Sequence, residues 1–297
     1  MAYVAVRPSR SRFVDLRGLR YHVRTWGEAD PAAPPLVMLH GWMDVSASFQ
    51  FVVDAFVSPR SVVAPDWRGF GLSERGPGDC YWFPDYLADL DFLLDQLAGT
   101  RPVVLVGHSM GGNIALLYAG ARPQRVRAVV NLEGFGLKDT PPERAPERYA
   151  AWMNELKRPP VGRDYGSLDE VAARLRRTNP RLSADQAAFL APHWSWPQAA
   201  GLRIAGDPAH RIINPVPYRW AEAEACWRQV TAPVLWIEGA QTDAYKWAGD
   251  ADILARRRAT LADVRFARVE DAGHMLHHDQ PQRTADLIEQ FLRDVNA

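Results

Sequence analysis

Residues 103–113, Val-Val-Leu-Val-Gly-His-Ser-Met-Gly-Gly-Asn, are the most informative segment of the sequence. It begins with an all-apolar run, Val103–Val106, which is typical of a strand buried on both faces of a parallel sheet. A Gly-x-Ser-x-Gly pattern follows at residues 107–111, and a helical pattern continues from Asn113 to Ala121. A chain that turns directly from strand to helix crowds its own backbone, and the glycines on either side of Ser109 relieve this because they lack Cβ. The stretch therefore predicts a strand–turn–helix unit with Ser109 at its apex.

This turn also gives Ser109 a chemical role. It lifts the hydroxyl above the sheet and directs amide groups of the following helix at the same space. Free N–H groups and the positive end of the helix dipole would stabilise an anion that forms there. Ser109 is therefore the candidate nucleophile, whereas the side chain of the preceding His108 is expected to point away and to pack.

Strand-like and helical patterns alternate on both sides of this stretch. Short β-rich runs predict strands at Phe13–Asp15, Leu19–Trp26, Leu36–Leu39, Ser61–Ala64, Val126–Leu132, Val234–Ile237 and Val264–Val269. Apolar side chains at helical spacing predict helices at residues 83–97, 250–261 and 284–295. Such alternation is typical of an α/β protein with a doubly wound, mostly parallel sheet.

The character of the chain changes between residues 135 and 225. Prolines cluster there and strand-like runs disappear, but short helical patterns persist at Glu147–Leu156, Leu168–Arg177 and Ser183–Leu190. A structureless loop of this length is uncommon in a compact protein. We therefore predict a helical cap at 135–225, inserted after the sixth strand, and a core formed by 1–134 and 226–297.

Composition and charge narrow the possible classes of protein. The chain has 297 residues, of which 47% are hydrophobic and 24% are charged, as is usual for a globular protein. Basic and acidic residues number 35 each, so the formal net charge is zero. We therefore expect neither a nucleic acid nor an anionic membrane as a partner. No uncharged apolar run reaches the roughly 18 residues that a membrane-spanning helix needs, so we expect no such helix.

The cysteines carry little information about function. Cys80 and Cys226 lie far apart, with no second Cys or His at ligand spacing, so the sequence predicts neither a disulfide framework nor a metal site. Two thiols suit a reducing compartment, and no secretory signal is visible in Met1–Arg12. We expect a cytoplasmic protein that needs no cofactor and acts on a small molecule.

Four segments in series resemble the motifs of the α/β-hydrolase fold family. They are an oxyanion loop at Leu39–Trp42, a D-x-R-G-x-G-x-S turn at Asp66–Ser73, a nucleophile turn at Gly107–Gly111, and a histidine loop at Asp271–His274 followed by Gln280-Pro281. The resemblance covers nearly the whole chain. It implies an eight-stranded, mostly parallel sheet and a hydrolase activity based on Ser109.

A serine hydroxyl is a weak nucleophile and needs a base within hydrogen-bond reach. His274 follows the last strand in a Gly-containing loop, at the edge where the carboxyl ends of the strands approach Ser109. It is the candidate general base. His277 and His278 follow closely. At most they line the pocket, and the exposed start of a helix is the favoured interpretation.

The resemblance implies an oxyanion hole formed by the backbone N–H groups of Trp42 and Met110. His40 and Gly41 would keep the first of these loops tight and let its backbone approach the substrate. Arg68, in the next loop, is interpreted as a structural residue that holds this loop by ion pairing.

The acid that orients His274 has two candidates. The family's usual Asp stands three residues beyond a Gly after the seventh strand, but here that spacing from Gly239 falls on Thr242, and Asp243 comes one residue later. The alternative is Glu133, which ends a buried strand, where a charge is costly unless it is paired. Leu132–Phe135 is similar to the haloalkane-dehalogenase branch, which carries its acid at that position. Both candidates stay open, with Asp243 slightly favoured.

A serine nucleophile predicts an acyl-ester intermediate resolved by water. Dehalogenases and epoxide hydrolases of this family use an aspartate at that position, so the serine argues against their chemistry. Aromatic and loop residues suggest an apolar pocket, and the candidates are His40, Gly41, Trp42, Phe135, Trp152, Trp194 and Trp196.

The predicted substrate is therefore a small to medium, hydrophobic acyl compound, with a carboxylic ester first. A lactone, a C–C bond in a vinylogous diketone, and perhydrolysis without a cofactor are alternatives at the same site. A ligand-binding member of the fold without catalysis is the hypothesis from another class.

Overall fold

The computed structural model describes residues 3–28, 35–199 and 201–297. Met1 lies outside the described residues. It is the first residue of the segment Met1–Arg12, in which no secretory signal is visible. The strands are β1 Arg10–Leu16, β2 Leu19–Trp26, β3 Leu36–Leu39, β4 Val62–Pro65, β5 Val103–His108, β6 Val126–Leu132, β7 Asp164–Tyr165, β8 Ser195–Gln198, β9 Gly201–Ile204, β10 Val234–Gly239 and β11 Val264–Val269.

Helices separate most of these strands. They are α1 Gln50–Ala55, α2 Phe83–Ala98, α3 Met110–Ala121, α4 Ala145–Lys157, α5 Leu168–Thr178, α6 Ala184–Leu190, α7 Trp220–Trp227, α8 Tyr245–Ala248, α9 Ala251–Arg258, α10 Leu276–Asp279 and α11 Pro281–Asp294. Short 3-10 turns precede α1 and α4.

Eight strands form one sheet in the order β1-β2-β4-β3-β5-β6-β10-β11. The β1–β2 and β2–β4 pairs are antiparallel, and the pairs from β4 to β11 are parallel. The predicted α/β class and the doubly wound, mostly parallel, eight-stranded sheet are confirmed. Most of the predicted strand bounds agree with the structure to within about two residues, within the usual scatter of strand assignment.

The all-apolar sequence of β5 follows from its place in the middle of this sheet. Val103 and Leu105 pack into the layer that contains α2 and α3, whereas Val104 and Val106 pack into the layer that contains α1 and α11. Because side chains alternate between the faces of a strand, a strand covered on both faces needs apolar residues at every position. Burying each such side chain fully contributes about 1.5–3 kcal/mol to the free energy of unfolding.

The parallel strands also decide where the functional residues meet. Their carboxyl ends lie along one edge of the sheet, and a loop leaves each strand there. Gly41, Asp66, Ser109, Glu133 and His274 follow β3, β4, β5, β6 and β11 respectively. The pairing of His108 with Leu132 in register places Ser109 beside Glu133.

The segment between β6 and β10 contains α4–α7 and also a three-stranded antiparallel sheet in the order β7-β9-β8. The predicted helices of this segment are present, but the expectation that strands are absent from it was wrong. These strands are only two to four residues long, and β8 contains a proline, so no alternating pattern marks them in the sequence. The domain bounds drawn at 135 and 225 stay a prediction.

This inserted segment is bonded to the loops that leave β3 and β4. The indole N–H of Trp196 donates to the carbonyl of Gly71, and the amide of Gly71 donates to Ala205 O at 2.9 Å. The indole N–H of Trp194 donates to Ser48 Oγ at 3.4 Å. The insertion therefore contacts the carboxyl edge of the sheet.

Two expectations from composition can be compared with the described residues. No helix among them is long and apolar enough to cross a bilayer; the longest, α2, has 16 residues. Cys80 and Cys226 are both free thiols.

Arg68 forms the ion pair expected of it in the loop after β4. Its Nε and Nη2 donate to the two carboxylate oxygens of Asp89, each at 2.6 Å. The Asp89 side chain is fully buried and also accepts from the hydroxyl of Tyr21 at 2.5 Å. This bidentate pair fixes the loop after β4 to α2.

We predict that Asp89→Asn lowers the free energy of unfolding by about 3–5 kcal/mol, because it leaves the Arg68 guanidinium without its buried partner. Urea titration followed by circular dichroism measures this change. The matched control is Asp164→Asn, which breaks the exposed Arg203–Asp164 pair and should cost less than about 1 kcal/mol. Equal losses in the two variants would contradict the structural role assigned to Arg68.

Candidate active site

The turn that presents Ser109 is strained and depends on its glycines. Ser109 has φ 52° and ψ −113°, a backbone conformation that residues other than glycine rarely adopt. A Cβ on Gly107 would lie 2.3 Å from Gly111 O, and one on Gly111 would lie 2.0 Å from Leu39 O. Only glycine fits either position. The turn places the hydroxyl above the sheet at the N-terminus of α3.

His274 lies within hydrogen-bond distance of Ser109. Its Nε2 is 2.9 Å from Ser109 Oγ, and its Nδ1 is 3.0 Å from Glu133 Oε2. Because an ionised carboxylate only accepts, we assign the ring proton to Nδ1, which leaves the Nε2 lone pair facing the serine hydroxyl. The two contacts therefore form a continuous chain of hydrogen bonds from the serine hydroxyl through the imidazole to the carboxylate.

Glu133 is buried, and its carboxylate is fully engaged. Its Oε1 accepts from the amide of Gly239 at 2.6 Å, and its Oε2 accepts from Thr242 Oγ1 at 2.5 Å and from His274. The backbone at Glu133 has φ 61°, and the side chain of Asn131 supports this turn through both hydrogen bonds to Gly134. Three donors satisfy a charge that would otherwise be costly to bury.

Asp243 lies on the surface and does not contact His274. Its side chain is 67% exposed and pairs with Lys246 Nζ at 2.5 Å, and this hydrogen bond lowers the pKa of the Asp243 carboxyl. The geometry therefore favours Glu133 over Asp243, the reverse of the preference drawn from spacing. Thr242, which occupies the family's usual acid position, donates its hydroxyl to Glu133 instead.

The loop after β3 lies against Ser109. A Cβ added to Gly41 would lie 2.9 Å from His108 Nδ1 and 3.3 Å from Ser109 Cβ, so a side chain here would crowd both residues. Met110 is the first residue of α3, and the first amides of a helix have no acceptor within it. The backbone at Gly41 and the N-terminus of α3 therefore both lie beside Ser109. Trp42 directly follows Gly41 in this loop.

His40 fixes that loop through both ring nitrogens. Nε2 accepts from the amide of Trp67 at 2.9 Å, and Nδ1 lies 2.8 Å from Gly41 O, to which it donates. Burial lowers the pKa of His40 to about 4, so the ring is neutral in this arrangement. The side chain supports the loop and is not exposed to a ligand.

The aromatic residues predicted to line a pocket have different surroundings. Phe135 is buried, and its ring lies 5.9 Å from that of Trp236. Trp194 is also buried, Trp196 is bonded to Gly71, and Trp152 is half-buried. Trp42 is 52% exposed at the end of the oxyanion loop.

The sequence gives no sign of the tryptophan that packs against His274. Trp247, on α8, is 46% exposed and meets the His274 ring edge-on at 5.0 Å between centroids. Lys246 Nζ lies 4.6 Å above the same indole. Nothing in the spacing around Trp247 distinguishes it from any other surface aromatic residue.

His277 and His278 are not at an exposed helix start, so that expectation was wrong. Both rings are buried, because α10 packs against α1 and the 3-10 turn before it. His108 is buried as well, and its Nε2 lies 2.8 Å from the carbonyl oxygen of His274. The expectation that His108 points away from Ser109 and packs agrees with this contact.

Comparison with known proteins gives one family match. A model of the alpha/beta hydrolase fold matches residues 34–281. This range contains all the residues described above as part of the candidate site.

Two relatives align with most of the chain. A serine hydrolase-like protein of Danio rerio is 27% identical over 298 residues, which covers 94% of this chain and 85% of that protein. A cis-3-alkyl-4-alkyloxetan-2-one decarboxylase of Shewanella oneidensis is 25% identical over 304 residues, which covers 97% and 90%. Among solved structures, a thioesterase domain from the curacin biosynthetic pathway superposes with a TM-score of 0.84 at 24% identity, covering 95% of this chain and 99% of that one.

The buried histidines predict acid-sensitive stability. Burial lowers the pKa of His40 and His193 to about 4 and that of His210 to about 3, against an ordinary value of 6.5. The contribution of these neutral histidines to the free energy of unfolding is full above pH 6.5 and is lost as the pH falls toward 4. For His40 alone, the loss is about 2 kcal/mol at about pH 5. The pKa of Asp44, which burial raises to about 7, acts in the opposite direction.

Urea unfolding at about pH 7.5 and about pH 5 measures this difference. We expect lower stability at the acidic pH, and a smaller loss in His193→Gln, which removes one of the titrating groups. Stability that is unchanged or higher at the acidic pH would contradict this prediction.

Proposed function

The chain belongs to the α/β-hydrolase fold family, and we propose that it is a serine hydrolase that cleaves a small to medium, hydrophobic acyl substrate. One observation carries this proposal: Ser109 Oγ, the His274 ring and Glu133 Oε2 are joined by contacts of 2.9 and 3.0 Å. Such a line of nucleophile, base and acid activates a hydroxyl for attack on a carbonyl.

In the proposed first step, Ser109 Oγ attacks the carbonyl carbon while His274 Nε2 takes the hydroxyl proton. Glu133 holds the ring orientation and stabilises the imidazolium that forms. The backbone N–H groups of Trp42 and Met110 are proposed to donate to the oxyanion. His274 then returns the proton to the leaving group, and the acyl group stays on Ser109 as an ester.

In the second step water replaces the leaving group. His274 removes a proton from water, the resulting hydroxide attacks the acyl ester, and Ser109 recovers its proton as the acid departs. The net reaction consumes one water and needs no oxidant or reductant. No cofactor is therefore included in the proposal.

The surroundings of Ser109 support an apolar acyl group. Trp42 and Trp247 are both partly exposed, on the loop after β3 and on α8, and the second of them touches the His274 ring. We propose that these two indoles contact the acyl chain and that the segment 135–225 covers it as a cap. Hydrogen bonds from that segment to the loops after β3 and β4 support a covering role.

A carboxylic ester is the first substrate class. A β-lactone is the second, because the relative from Shewanella oneidensis is named for an oxetan-2-one, which is a four-membered lactone. Its ring carbonyl offers the same electrophile to Ser109. A hydrolytic product from the lactone would be a hydroxy acid, whereas a decarboxylated product would indicate a different reaction.

The direct test uses p-nitrophenyl esters of increasing acyl length, with a β-lactone and an aryl dienoate alongside. We predict hydrolysis of the esters, and a loss of kcat of at least about 1,000-fold in Ser109→Ala. The control Ser167→Ala changes an exposed helix cap on α5 and should leave kcat within about twofold. No turnover of any substrate by the wild-type chain would contradict the proposal and favour a ligand-binding member of the fold.

The acid is tested by two isosteric variants. We predict that Glu133→Gln lowers kcat by about 10,000-fold with little change in KM, because an amide cannot hold the required His274 tautomer or stabilise imidazolium. Asp243→Asn should leave kcat within about threefold, since its carboxylate pairs with Lys246 at the surface. Circular dichroism checks that both variants are folded. The reverse pattern of activity would assign the role to Asp243.

A further inference from the structure

Behind the catalytic residues, three buried polar side chains converge on one point. They are Asp44, His108 and His277, with exposures of 2%, 2% and 0%. One nitrogen or oxygen atom from each lies within 4.8 Å of the corresponding atoms of the other two. None of these three side chains has a place in the proposed hydrolytic steps.

Asp44 is anchored through one oxygen only. Its Oδ1 accepts from the amide of Val45 at 2.8 Å and from the hydroxyl of Ser48. Its Oδ2 is buried without a hydrogen-bond partner among the described residues and faces His277 Nε2 at 3.9 Å. That separation is too long for a direct hydrogen bond.

His108 contributes a ring nitrogen to the same cluster. Its Nε2 lies 2.8 Å from the carbonyl oxygen of His274, and because a carbonyl can only accept, this nitrogen carries the proton. In the neutral ring Nδ1 is then unprotonated, and it has no partner among the residues that the structure describes. Metal-binding histidines commonly donate their other ring N–H to a backbone carbonyl in this way.

His277 completes the group. Its ring is fully buried, lies 4.3 Å from the His108 ring, and has no hydrogen-bond partner for either nitrogen within the described ranges. Leaving polar atoms unpaired in the interior costs free energy, and an unpaired carboxylate costs the most. A bound cation would satisfy the carboxylate and both imidazoles together.

We propose that Asp44, His108 and His277 bind one divalent transition-metal cation of the zinc type. Two imidazole nitrogens and one carboxylate oxygen are ligands that Zn²⁺ accepts readily. In a tetrahedral site with bonds of about 2.1 Å, neighbouring ligand atoms are about 3.4 Å apart. The three atoms now lie within 4.8 Å of one another, with Asp44 Oδ2 and His277 Nε2 3.9 Å apart, so binding draws these side chains together.

The proposed site would connect the three loops that carry the catalytic groups. Asp44 follows the oxyanion loop, His108 precedes Ser109, and His277 lies three residues after His274. The cation would therefore hold these loops in one arrangement. Ligand spacing in the sequence does not indicate the site, because each ligand comes from a different segment.

The test uses the full-length chain, stripped with EDTA and then titrated with ZnCl₂ or CoCl₂. We expect one tightly bound zinc per chain by elemental analysis after desalting, a visible Co²⁺ spectrum with nitrogen and oxygen ligands, and a higher melting temperature. Asp44→Asn and His277→Gln should each weaken binding by at least about 100-fold. Ser48→Ala removes the hydroxyl that donates to Asp44 and accepts from Trp194, and it should weaken binding by about 10–100-fold.

Two controls separate this site from other metal-binding groups. His278→Gln changes the adjacent buried histidine and should keep the Co²⁺ spectrum. His274→Ala removes the catalytic imidazole but keeps the carbonyl that accepts from His108, and it should also keep the spectrum. All readouts are independent of hydrolysis, so they do not depend on the proposed function.

The proposal is overturned if folded wild-type protein binds no metal, or if Asp44→Asn and His277→Gln bind it as tightly as the wild type. Metal binding that is lost in His274→Ala and kept in Asp44→Asn would place the cation on the catalytic pair and would also overturn it. Circular dichroism of the metal-free variants shows whether a loss of binding comes from unfolding.

Discussion

The site depends on the cost of burying the carboxylate of Glu133. A charge at the end of a central strand is stable there only if donors surround it. The amide of Gly239, the hydroxyl of Thr242 and the ring of His274 supply them, from the loop after β10 and the loop after β11. The same hydrogen bonds that satisfy this carboxylate hold three loops together and set the orientation of the imidazole. The hydrogen bonds to Glu133 therefore both stabilise its buried charge and determine the geometry of the Ser109, His274 and Glu133 side chains.

Backbone crowding supplies the second half of the geometry. Gly107 and Gly111 let β5 and α3 meet at a turn that has no room for a Cβ at either position, and Gly41 lets the loop after β3 reach Ser109. The turn places Ser109 in a strained conformation, and such strain is kept only where surrounding structure enforces it. Packing of apolar β5 residues on both faces of the sheet provides that enforcement. Ser109 is thus held by the core rather than by the surface.

Much of this arrangement is visible in the sequence because it arises from local chain properties. The all-apolar run before Ser109, the flanking glycines and the order of the motifs predict the sheet and the positions of Ser109 and His274. The choice between Asp243 and Glu133 is not local. It depends on β6 lying beside β10, which places Glu133 next to Gly239, and on a threonine that fills the usual acid position with a donor. Spacing along one segment cannot reveal a neighbour contributed by another.

The same reason explains the burial of His277 and the short strands of the inserted segment. His277 is buried where α10 packs against α1 and the 3-10 turn before it, and α1 is a six-residue helix that the sequence patterns do not indicate. The strands β8 and β9 are too short for periodicity to show. Conversely, the residues whose environment the sequence predicts well are those in long, regular elements. The chemistry at the carboxyl edge is assembled from loops, so it becomes visible only when the loops are placed together.

The most direct measurement for this account is covalent labelling by a fluorophosphonate, located by peptide mass spectrometry. If Glu133 and His274 activate Ser109, the wild-type chain is labelled at Ser109 alone, and His274→Ala is labelled far more slowly while it stays folded. An unlabelled wild-type chain, a label on another serine, or an equal labelling rate in His274→Ala would contradict the central claim.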